Sequence, residues 1–225
     1  MKTTAIIVAA GSGSRLHSDT PKQFLEIYGK PVIAHTIERF ESAPSIDSII
    51  LVLADDQVAS FDASAFSKIT KVVSGGPTRA ESVRKGIDAA RDAGIVAVHD
   101  GARPLVTVDE IERTIAKAKE SGAACLVAPV TDTIKSVRGD EIADTLDRTK
   151  LRRALTPQAF HASVLQKAFE GVDLTESVTD ECYLVEKLGH PIAVVEGSAR
   201  NVKITHREDF ILAEALLSEK GRAKS

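Results

Sequence analysis

Short apolar runs rich in β-branched residues recur along the chain and alternate with amphipathic stretches. Each run is typical of a buried strand, because a parallel sheet covered on both faces requires apolar residues on both sides. The stretches between the runs predict helices, and this alternation is typical of an α/β fold with a mainly parallel sheet flanked by helices. The predicted strands are Ala5–Ala10, Ile49–Ala54, Val72–Val73, Ile95–Val98, Cys125–Val130 and Ile192–Val195.

Three helix starts are marked by a Thr that is followed three residues later by a Glu. This spacing allows a capping box, in which the two side chains accept hydrogen bonds from free backbone N–H groups of the first turn. A fourth helix is predicted by apolar residues that share one face. The predicted helices are Ile33–Ser42, Thr78 to about Asp92, Thr107 to about Glu120, and a final helix from Thr205.

One polar segment, Thr131–Arg148, breaks the alternation of strands and helices. Polar and apolar residues alternate on both sides of Arg138–Glu141, which predicts a β-hairpin with a glycine-containing turn. Because the segment has too few apolar residues for a core element, we expect it to protrude and to pack on a second subunit. The expected organisation is a single domain over residues 1–225, with residues 131–150 as a protruding arm.

Composition and charge narrow the class of protein. The 225 residues include 29 Lys and Arg and 32 Asp and Glu, a net charge of −3. A broad nucleic-acid-binding surface requires positive charge and is not expected. No apolar run approaches the ~20 residues of a membrane span, or forms a signal-peptide core. The cysteines, Cys125 and Cys182, have no metal-binding spacing. A cytoplasmic enzyme or binding protein is therefore expected.

A glycine-rich turn, Gly11–Gly13, follows the first predicted strand, and the cations Arg15 and Lys22 come soon after. Phosphates bind at this end of the strands in open α/β sheets. Leu16 occupies the third glycine position of a dinucleotide fingerprint, the acidic partner is missing, and the ending of a Walker A loop is absent. A nicotinamide-dependent oxidoreductase is thus disfavoured, while a polyphosphate site and an ordinary turn with two surface cations both remain open.

Two further segments contain candidate functional residues. Asp100 follows the strand Ile95–Val98, where a carboxylate could hold Mg²⁺ together with substrate phosphates, or could pair with Arg103 in a turn. The turn Gly75–Gly76 precedes a capped helix. Free N–H groups at such a helix start can contact an anion or a base edge, or can simply be capped.

Taken in order, these segments resemble the 2-C-methyl-D-erythritol 4-phosphate cytidylyltransferase family. The resemblance runs from residue 9 to residue 205, and only Val8 and Cys182 stand out as departures from residues usual in the family. It implies a Rossmann-like core and transfer of CMP from CTP to methylerythritol phosphate, with release of pyrophosphate, in isoprenoid biosynthesis. The matching pieces are AAGSGSRL, PKQF, SGGPTRAESV, VHDGARP, APVTDTIK, LDR, LTPQAF, TDE and NVKIT.

The resemblance also implies roles for individual residues. The cofactor would be Mg²⁺ or another divalent cation, bound at Asp100, and the arm residues would reach the site of a partner subunit in a homodimer. The catalytic residues would be Arg15, Lys22 and Lys203. The nucleotide would contact Ala9, Ala10, Gly11, Ser12, Gly13, Gly75, Gly76, Ser82 and Asp100. The acceptor would contact Arg103, Thr133, Arg148, Thr179 and Lys203.

Two alternatives stay open at this point. Ribitol 5-phosphate cytidylyltransferases have similar glycine and PKQF segments and perform the same chemistry on another acceptor. A nucleotide-binding module without catalysis would need the glycine turn, but it would not require Arg15, Lys22 and the later charged residues together.

Overall fold

The structure, a computed structural model, describes residues 1–11, 20–173 and 178–222. Eleven strands form within these residues. In chain order they are β1 (Thr3–Ala9), β2 (Glu26–Ile27), β3 (Lys30–Pro31), β4 (Ser48–Leu53), β5 (Ile69–Ser74), β6 (Ile95–Asp100), β7 (Ala123–Pro129), β8 (Lys135–Arg138), β9 (Glu141–Thr145), β10 (Arg152–His161) and β11 (Ala193–Glu196).

Seven of the strands in the described part form one large sheet, in the order β11-β7-β10-β6-β1-β4-β5. Neighbouring strands are parallel, except that β10 runs antiparallel to both β6 and β7. The predicted Rossmann-like α/β architecture is therefore confirmed. The antiparallel strand β10 is an addition that the hydrophobic pattern does not predict.

The described residues also form seven α-helices, none of which is both long enough and apolar enough to cross a membrane. The capping boxes at Thr78 and Thr107 are present. The box predicted at Thr205 is wrong, because the last helix begins later and Asp209 accepts the N–H groups of Thr205 and His206. The helices are α1 (Val32–Glu41), α2 (Asp55–Val58), α3 (Arg79–Ala89), α4 (Val108–Ser121), α5 (Ala162–Phe169), α6 (Glu181–Lys187) and α7 (Arg207–Arg222).

The sheet is covered on both faces because successive side chains of a strand point to opposite sides. On β1, Ile7 packs into a cluster with Phe40 of α1 and Ile115 of α4. The preceding Ile6 packs into a second cluster with Val83 of α3. Ile6 and Ile7 are fully buried, and burial of each such side chain contributes about 1.5–3 kcal/mol. These two clusters fix the sheet and therefore the positions of its strand ends.

A third apolar cluster lies beside the carboxyl ends of the strands. It joins Ile27 of β2 and Ala102, which follows β6, to Ile204 in the segment before α7. Ile204 is fully buried, and its N–H donates to the Ala102 carbonyl at 2.9 Å. The cluster thereby holds the segment around Lys203 close to the end of β6.

The hairpin predicted over Thr131–Arg148 is present as the antiparallel pair β8 and β9. Its turn contains Gly139, whose φ of +60° lies in the left-handed region that favours glycine. Val137 and Ile142 face each other across the strands and are 68% and 66% exposed. The hairpin is therefore built as an arm whose apolar pair is left uncovered by the described part of the chain.

Candidate active site

A cavity of about 270 Å³ lies at the carboxyl ends of β1 and β6. From β1 the chain continues to β4 and β5 on one side and then returns to β6 on the other. Such a reversal of strand order opens a crevice, and open α/β sheets bind ligands there. The described residues that line the cavity are Val8, Ala9, Ala10, Gly11, Lys22, Gln23, Pro77, Thr78, Arg79, Ser82, Asp100, Ala102, Lys203 and Thr205.

The buried side chain of Gln23 fixes the turn after β1. Its Nε2 donates to the Ala9 carbonyl at 2.8 Å and to the Gly11 carbonyl at 3.2 Å. One amide group thus holds the backbone at both ends of Ala9–Gly11, where the resemblance implies phosphate contacts. Ser12, Gly13 and Arg15, which continue the predicted site, lie outside the described residues.

The turn Gly75–Gly76 packs against the residues that follow β1. A Cβ on Gly75 would lie 2.3 Å from the Ala10 Cβ and 2.8 Å from the Ser82 Oγ, so only glycine permits this approach. The N–H of Gly76 donates to the Ser82 Oγ at 3.0 Å. The structure therefore brings Ser82 and this turn together at the edge of the cavity.

Lys22 and Lys203 reach the cavity from different segments and are connected through one residue. The Nζ of Lys22 donates to the carbonyl of Ile204 at 2.9 Å. The neighbouring Lys203 places its Nζ 3.0 Å from Asp100 Oδ2. Since Ile204 is anchored in the third apolar cluster, two cations predicted as catalytic are held at one rim.

Asp100 is the central charge of the site and is paired with three cations. Its Oδ1 lies 3.0 Å from Arg79 Nε, and its Oδ2 lies 3.1 Å from Arg103 Nε and 3.0 Å from Lys203 Nζ. Burial works against ionisation of this carboxyl group, but the charges of Arg79, Lys203 and Arg103 outweigh it and hold the pKa of Asp100 well below its usual value. Asp100 is therefore a fixed carboxylate.

Arg103, which was predicted to contact the acceptor, binds within the chain. Besides binding Asp100, it donates from Nη1 to the carbonyl of Asn201 at 2.9 Å. The ion pair considered from sequence as the alternative role of Arg103 is thus present. It connects the turn after β6 to the segment that carries Lys203.

A chain of hydrogen bonds behind Asp100 runs through the neighbouring residue, His99. The Asp100 N–H donates to Thr156 Oγ1 at 3.2 Å, the Thr156 hydroxyl lies 2.9 Å from His99 Nδ1, and His99 Nε2 lies 3.2 Å from the Arg103 carbonyl. Because a carbonyl only accepts, Nε2 carries the proton and Nδ1 accepts from Thr156. Burial lowers the pKa of His99 to about 3. The ring is therefore a neutral support for the site.

Arg79 is the functional candidate that sequence reasoning missed. It lines the cavity and binds Asp100, while its Nη1 and Nη2 donate to Glu181 Oε1 and Oε2 at 2.6 and 3.0 Å. Glu181 is fully buried at the start of α6. A signal was present in the sequence, because Arg79 follows a capping Thr directly, where a positive charge opposes the helix dipole.

Three predicted acceptor residues lie away from the described lining of the cavity. Thr133 and Arg148 are exposed and belong to the arm, and Thr179 is exposed just before α6. The Arg148 guanidinium donates to the Thr131 carbonyl at the base of the arm. The described chain alone therefore does not assemble the complete predicted acceptor site.

Comparison with known proteins agrees with this architecture. The family model described as 2-C-methyl-D-erythritol 4-phosphate cytidylyltransferase (IspD) matches residues 3–219. The chain is similar to enzymes of that name from Syntrophus aciditrophicus, at 44% identity over 98% of both chains, and from Halalkalibacterium halodurans, at 39% identity over 99% of this chain and 100% of that relative.

Solved structures show the same similarity. The 4-diphosphocytidyl-2C-methyl-D-erythritol synthase of Anaerococcus prevotii superposes with a TM-score of 0.84 at 30% identity, over 96% of this chain and 98% of that one. The cytidylyltransferase of Thermus thermophilus gives 0.78 at 32% identity, over 96% and 98%. Because the family model matches nearly the whole chain, the chain belongs to the 2-C-methyl-D-erythritol 4-phosphate cytidylyltransferase family.

Proposed function

We propose that this enzyme transfers CMP from CTP to 2-C-methyl-D-erythritol 4-phosphate. The products are 4-diphosphocytidyl-2-C-methyl-D-erythritol and pyrophosphate. The observation that carries the proposal, beside family membership, is the convergence of Lys22 and Lys203 on a cavity at the crevice of the sheet, next to the turn Ala9–Gly11. In this reaction an oxygen of the acceptor phosphate attacks the α-phosphorus in line, and the P–O bond to pyrophosphate breaks.

The charges of the reactants explain why cations dominate the site. CTP carries about four negative charges near neutral pH and the acceptor phosphate nearly two. A like-charge pair at about 4 Å costs about 4 kcal/mol at an effective dielectric of 20. Because the attacking oxygen is already ionised, the reaction needs positive charge and alignment and no general base. Lys22 and Lys203 supply that charge from two segments, and the resemblance assigns the same role to Arg15.

We propose that a magnesium ion is delivered to the cavity with the nucleotide. Mg²⁺ usually takes one or two carboxylates and completes its shell with phosphate oxygens and water. Asp100 is the one carboxylate among the described cavity-lining residues, and the described part of the chain contains no cluster of three metal-ligating side chains. Both Asp100 oxygens are already paired with Arg79, Arg103 and Lys203. Asp100 would therefore hold the ion, as the resemblance implies, only if one of these cations is released, and the nucleotide phosphates would supply most of the other ligands.

We propose a homodimer in which the arm, residues 131–150 of the single domain, packs on a second copy of the chain. The exposed pair Val137 and Ile142 supports this proposal, since it provides apolar surface for a partner. The arm would bring Thr133 and Arg148 to the partner's acceptor site, and Thr179 would serve the acceptor within its own chain. We further propose that the enzyme acts in the cytoplasm and binds neither nucleic acid nor membrane.

Pyrophosphate release with CTP and Mg²⁺ tests this function. The assay compares methylerythritol phosphate with ribitol 5-phosphate as acceptors, and omission of the acceptor provides the blank. Release with methylerythritol phosphate alone supports the proposal. Release with ribitol 5-phosphate alone would keep the chemistry and overturn the acceptor, and CTP binding without release would indicate a non-catalytic nucleotide-binding module.

A further inference from the structure

Gln23 carries a buried amide that the predicted site residues do not include. It is 2% exposed and lines the wall of the cavity. It lies between Lys22, proposed above to act on the phosphates, and the apolar residue Phe24 in one short 3₁₀ turn. A buried amide adds little net stability, because its hydrogen bonds in the folded chain replace hydrogen bonds to water. Stability alone therefore does not explain an amide at this position.

The amide extends the hydrogen bonding of β1 beyond the backbone ladder of the sheet. The carbonyl of Val8 accepts from the N–H of Gly101, the residue after β6, at 2.8 Å. The next carbonyl, that of Ala9, accepts from Gln23 Nε2 at 2.8 Å. The Gly11 carbonyl accepts from the same nitrogen at 3.2 Å. One side chain thus takes the place of a neighbouring strand for the residues that follow β1.

The direction of these carbonyls also sets the direction of backbone donors. Because a peptide unit is planar and trans, its N–H points opposite to its carbonyl, so the bound Ala9 carbonyl fixes the direction of the Ala10 N–H. Successive backbone N–H groups of a turn form sites for anions such as phosphate. The resemblance assigns nucleotide contacts to Ala9, Ala10 and Gly11 alike. A turn that is ordered before the nucleotide binds avoids the cost of ordering it during binding.

The short turn that contains Gln23 also fixes the position of Lys22. On one side, Phe24 packs against the apolar cluster that contains Ile7 of β1. On the other side, Lys22 Nζ donates to the carbonyl of Ile204 at 2.9 Å. Gln23 therefore connects the backbone after β1 to the cation that would act on the same triphosphate.

We propose that Gln23 is a positioning residue for the triphosphate of CTP. Its amide holds the backbone of Ala9–Gly11 in the binding conformation and keeps that backbone at a fixed distance from Lys22. The inference deepens the proposed function and rests on it, because that function places CTP at this turn. A residue of similar size without a donor, such as methionine, would fill the same space but leave both carbonyls unbound.

The test uses Gln23→Met, which removes the donor, and Gln23→Asn, which keeps an amide on a shorter side chain. Gln166→Met is the matched control, because Gln166 is exposed on α5. Calorimetry gives the dissociation constants of CTP and CMP, whose ratio reports the contacts of the two outer phosphates. Pyrophosphate release gives kcat and the KM for CTP, and the unfolding temperature shows whether each variant folds.

We expect Gln23→Met to lower kcat/KM for CTP about 100-fold, because a shift of about 1 Å in a positioned group can cost this much. The variant should also lose most of the preference for CTP over CMP. Gln23→Asn should lose about 10-fold, which corresponds to one lost hydrogen bond. Gln166→Met should match the wild type. A purely structural role would lower the unfolding temperature without changing the ratio of the two affinities.

A wild-type ratio of CTP to CMP affinity in Gln23→Met would overturn the proposal, whatever happens to its unfolding temperature. If Gln23→Met does not fold, the same ratio in Gln23→Asn decides. The proposed function can fail separately, if the wild type releases no pyrophosphate with either acceptor. A ratio that still falls in Gln23→Met would then support the positioning role, and an unchanged ratio would refute it as well.

Discussion

Charged residues at the cavity and on the arm differ in what holds them in place. Asp100 is 6% exposed and Glu181 is fully buried, and each is bound by cations of the same chain. On the arm, Arg148 is exposed and the apolar pair Val137 and Ile142 faces solvent. Charge pairs in low dielectric are fixed by their partners, whereas exposed ones are weak. The charges at the cavity are therefore fixed within one chain, while the apolar pair of the arm is left uncovered by the described residues.

This comparison predicts the largest effect on activity for the loss of a cation at the cavity. Lys22→Ala should lower kcat by about 10²–10³-fold, because it removes a preorganised charge from the phosphate site. The free energy of unfolding should change little. Pyrophosphate release is the measurement, and Lys30→Ala is the control, since Lys30 forms a part-exposed pair with Glu38. A rate close to wild type would exclude Lys22 from catalysis.

The buried His99 behind the cavity predicts that the folded protein loses stability in acid. Because burial lowers the pKa of His99 to about 3, the unfolded chain binds a proton between about pH 6.5 and pH 3 that the folded chain does not. The stability associated with neutral His99 is complete above pH 6.5 and falls as the pH is lowered, by about 2 kcal/mol at pH 5.

Denaturant unfolding at pH 7 and pH 5 checks this prediction. His99→Asn should be less stable at pH 7 but should lose most of the difference between the two pH values. The exposed His206 provides the control, His206→Asn, which should keep that difference. A wild-type difference that survives in His99→Asn would assign the acid sensitivity to other groups.

On the arm, Arg148→Ala should raise the KM for the acceptor about 10-fold, which corresponds to one lost charge-assisted hydrogen bond. The KM for CTP should stay unchanged. Lys150→Ala is the control, because Lys150 is 82% exposed on the same turn. A change in CTP affinity alone would show that the arm does not serve the acceptor.

The proposed dimer can be tested at the tip of the arm. Deletion of Arg138–Glu141 should weaken self-association by removing the turn that orders β8 against β9. Sedimentation velocity over a range of concentrations measures this change. An unchanged dimer would place the interface on another surface of the chain.

The smallest effect is expected for the two cysteines. A hydrogen bond to the Cys125 thiol, together with burial, raises the pKa of Cys182, so the thiolate required for reaction is scarce. We expect Cys182→Ala to retain wild-type kcat, and both thiols to resist alkylation until the protein unfolds. Rapid modification of the native protein would contradict this packing.

The alternation of strands and helices could be predicted because it depends on local hydrophobic pattern, but β10 could not. Its centre combines Thr156, Pro157 and Gln158, a composition that is unfavourable for a buried strand. Thr156 and Gln158 are buried there because His99 and Asp180, among others, satisfy their hydrogen bonds. These partners come together only in the folded chain.

The capping box predicted at Thr205 is also wrong, although the helix that it predicted is present. Thr205 and Glu208 have the correct spacing, but α7 begins at Arg207, so the third helical residue is Asp209. That carboxylate accepts the N–H groups of Thr205 and His206. The spacing rule thus identified the helix but not its first residue.

At the site, the glycine turn, Lys22, Asp100 and Lys203 could be proposed from sequence because recognisable motifs contain them. Arg79 had only the weak signal of a positive charge at a helix start, because its partners are carboxylates that the fold brings from two other elements. The acceptor residues of the arm stay predictions for a related reason. Their proposed environment includes a second copy of the chain.

The origin of the bridging oxygen in the product tests the central claim most directly. Methylerythritol phosphate labelled with ¹⁸O at its phosphate is converted with unlabelled CTP and Mg²⁺, and ³¹P NMR locates the label. In-line attack on the α-phosphorus predicts ¹⁸O in the new P–O–P bridge and none in the released pyrophosphate. An unlabelled bridge, or release of CMP with the label in a product of attack on another phosphorus, would contradict the account.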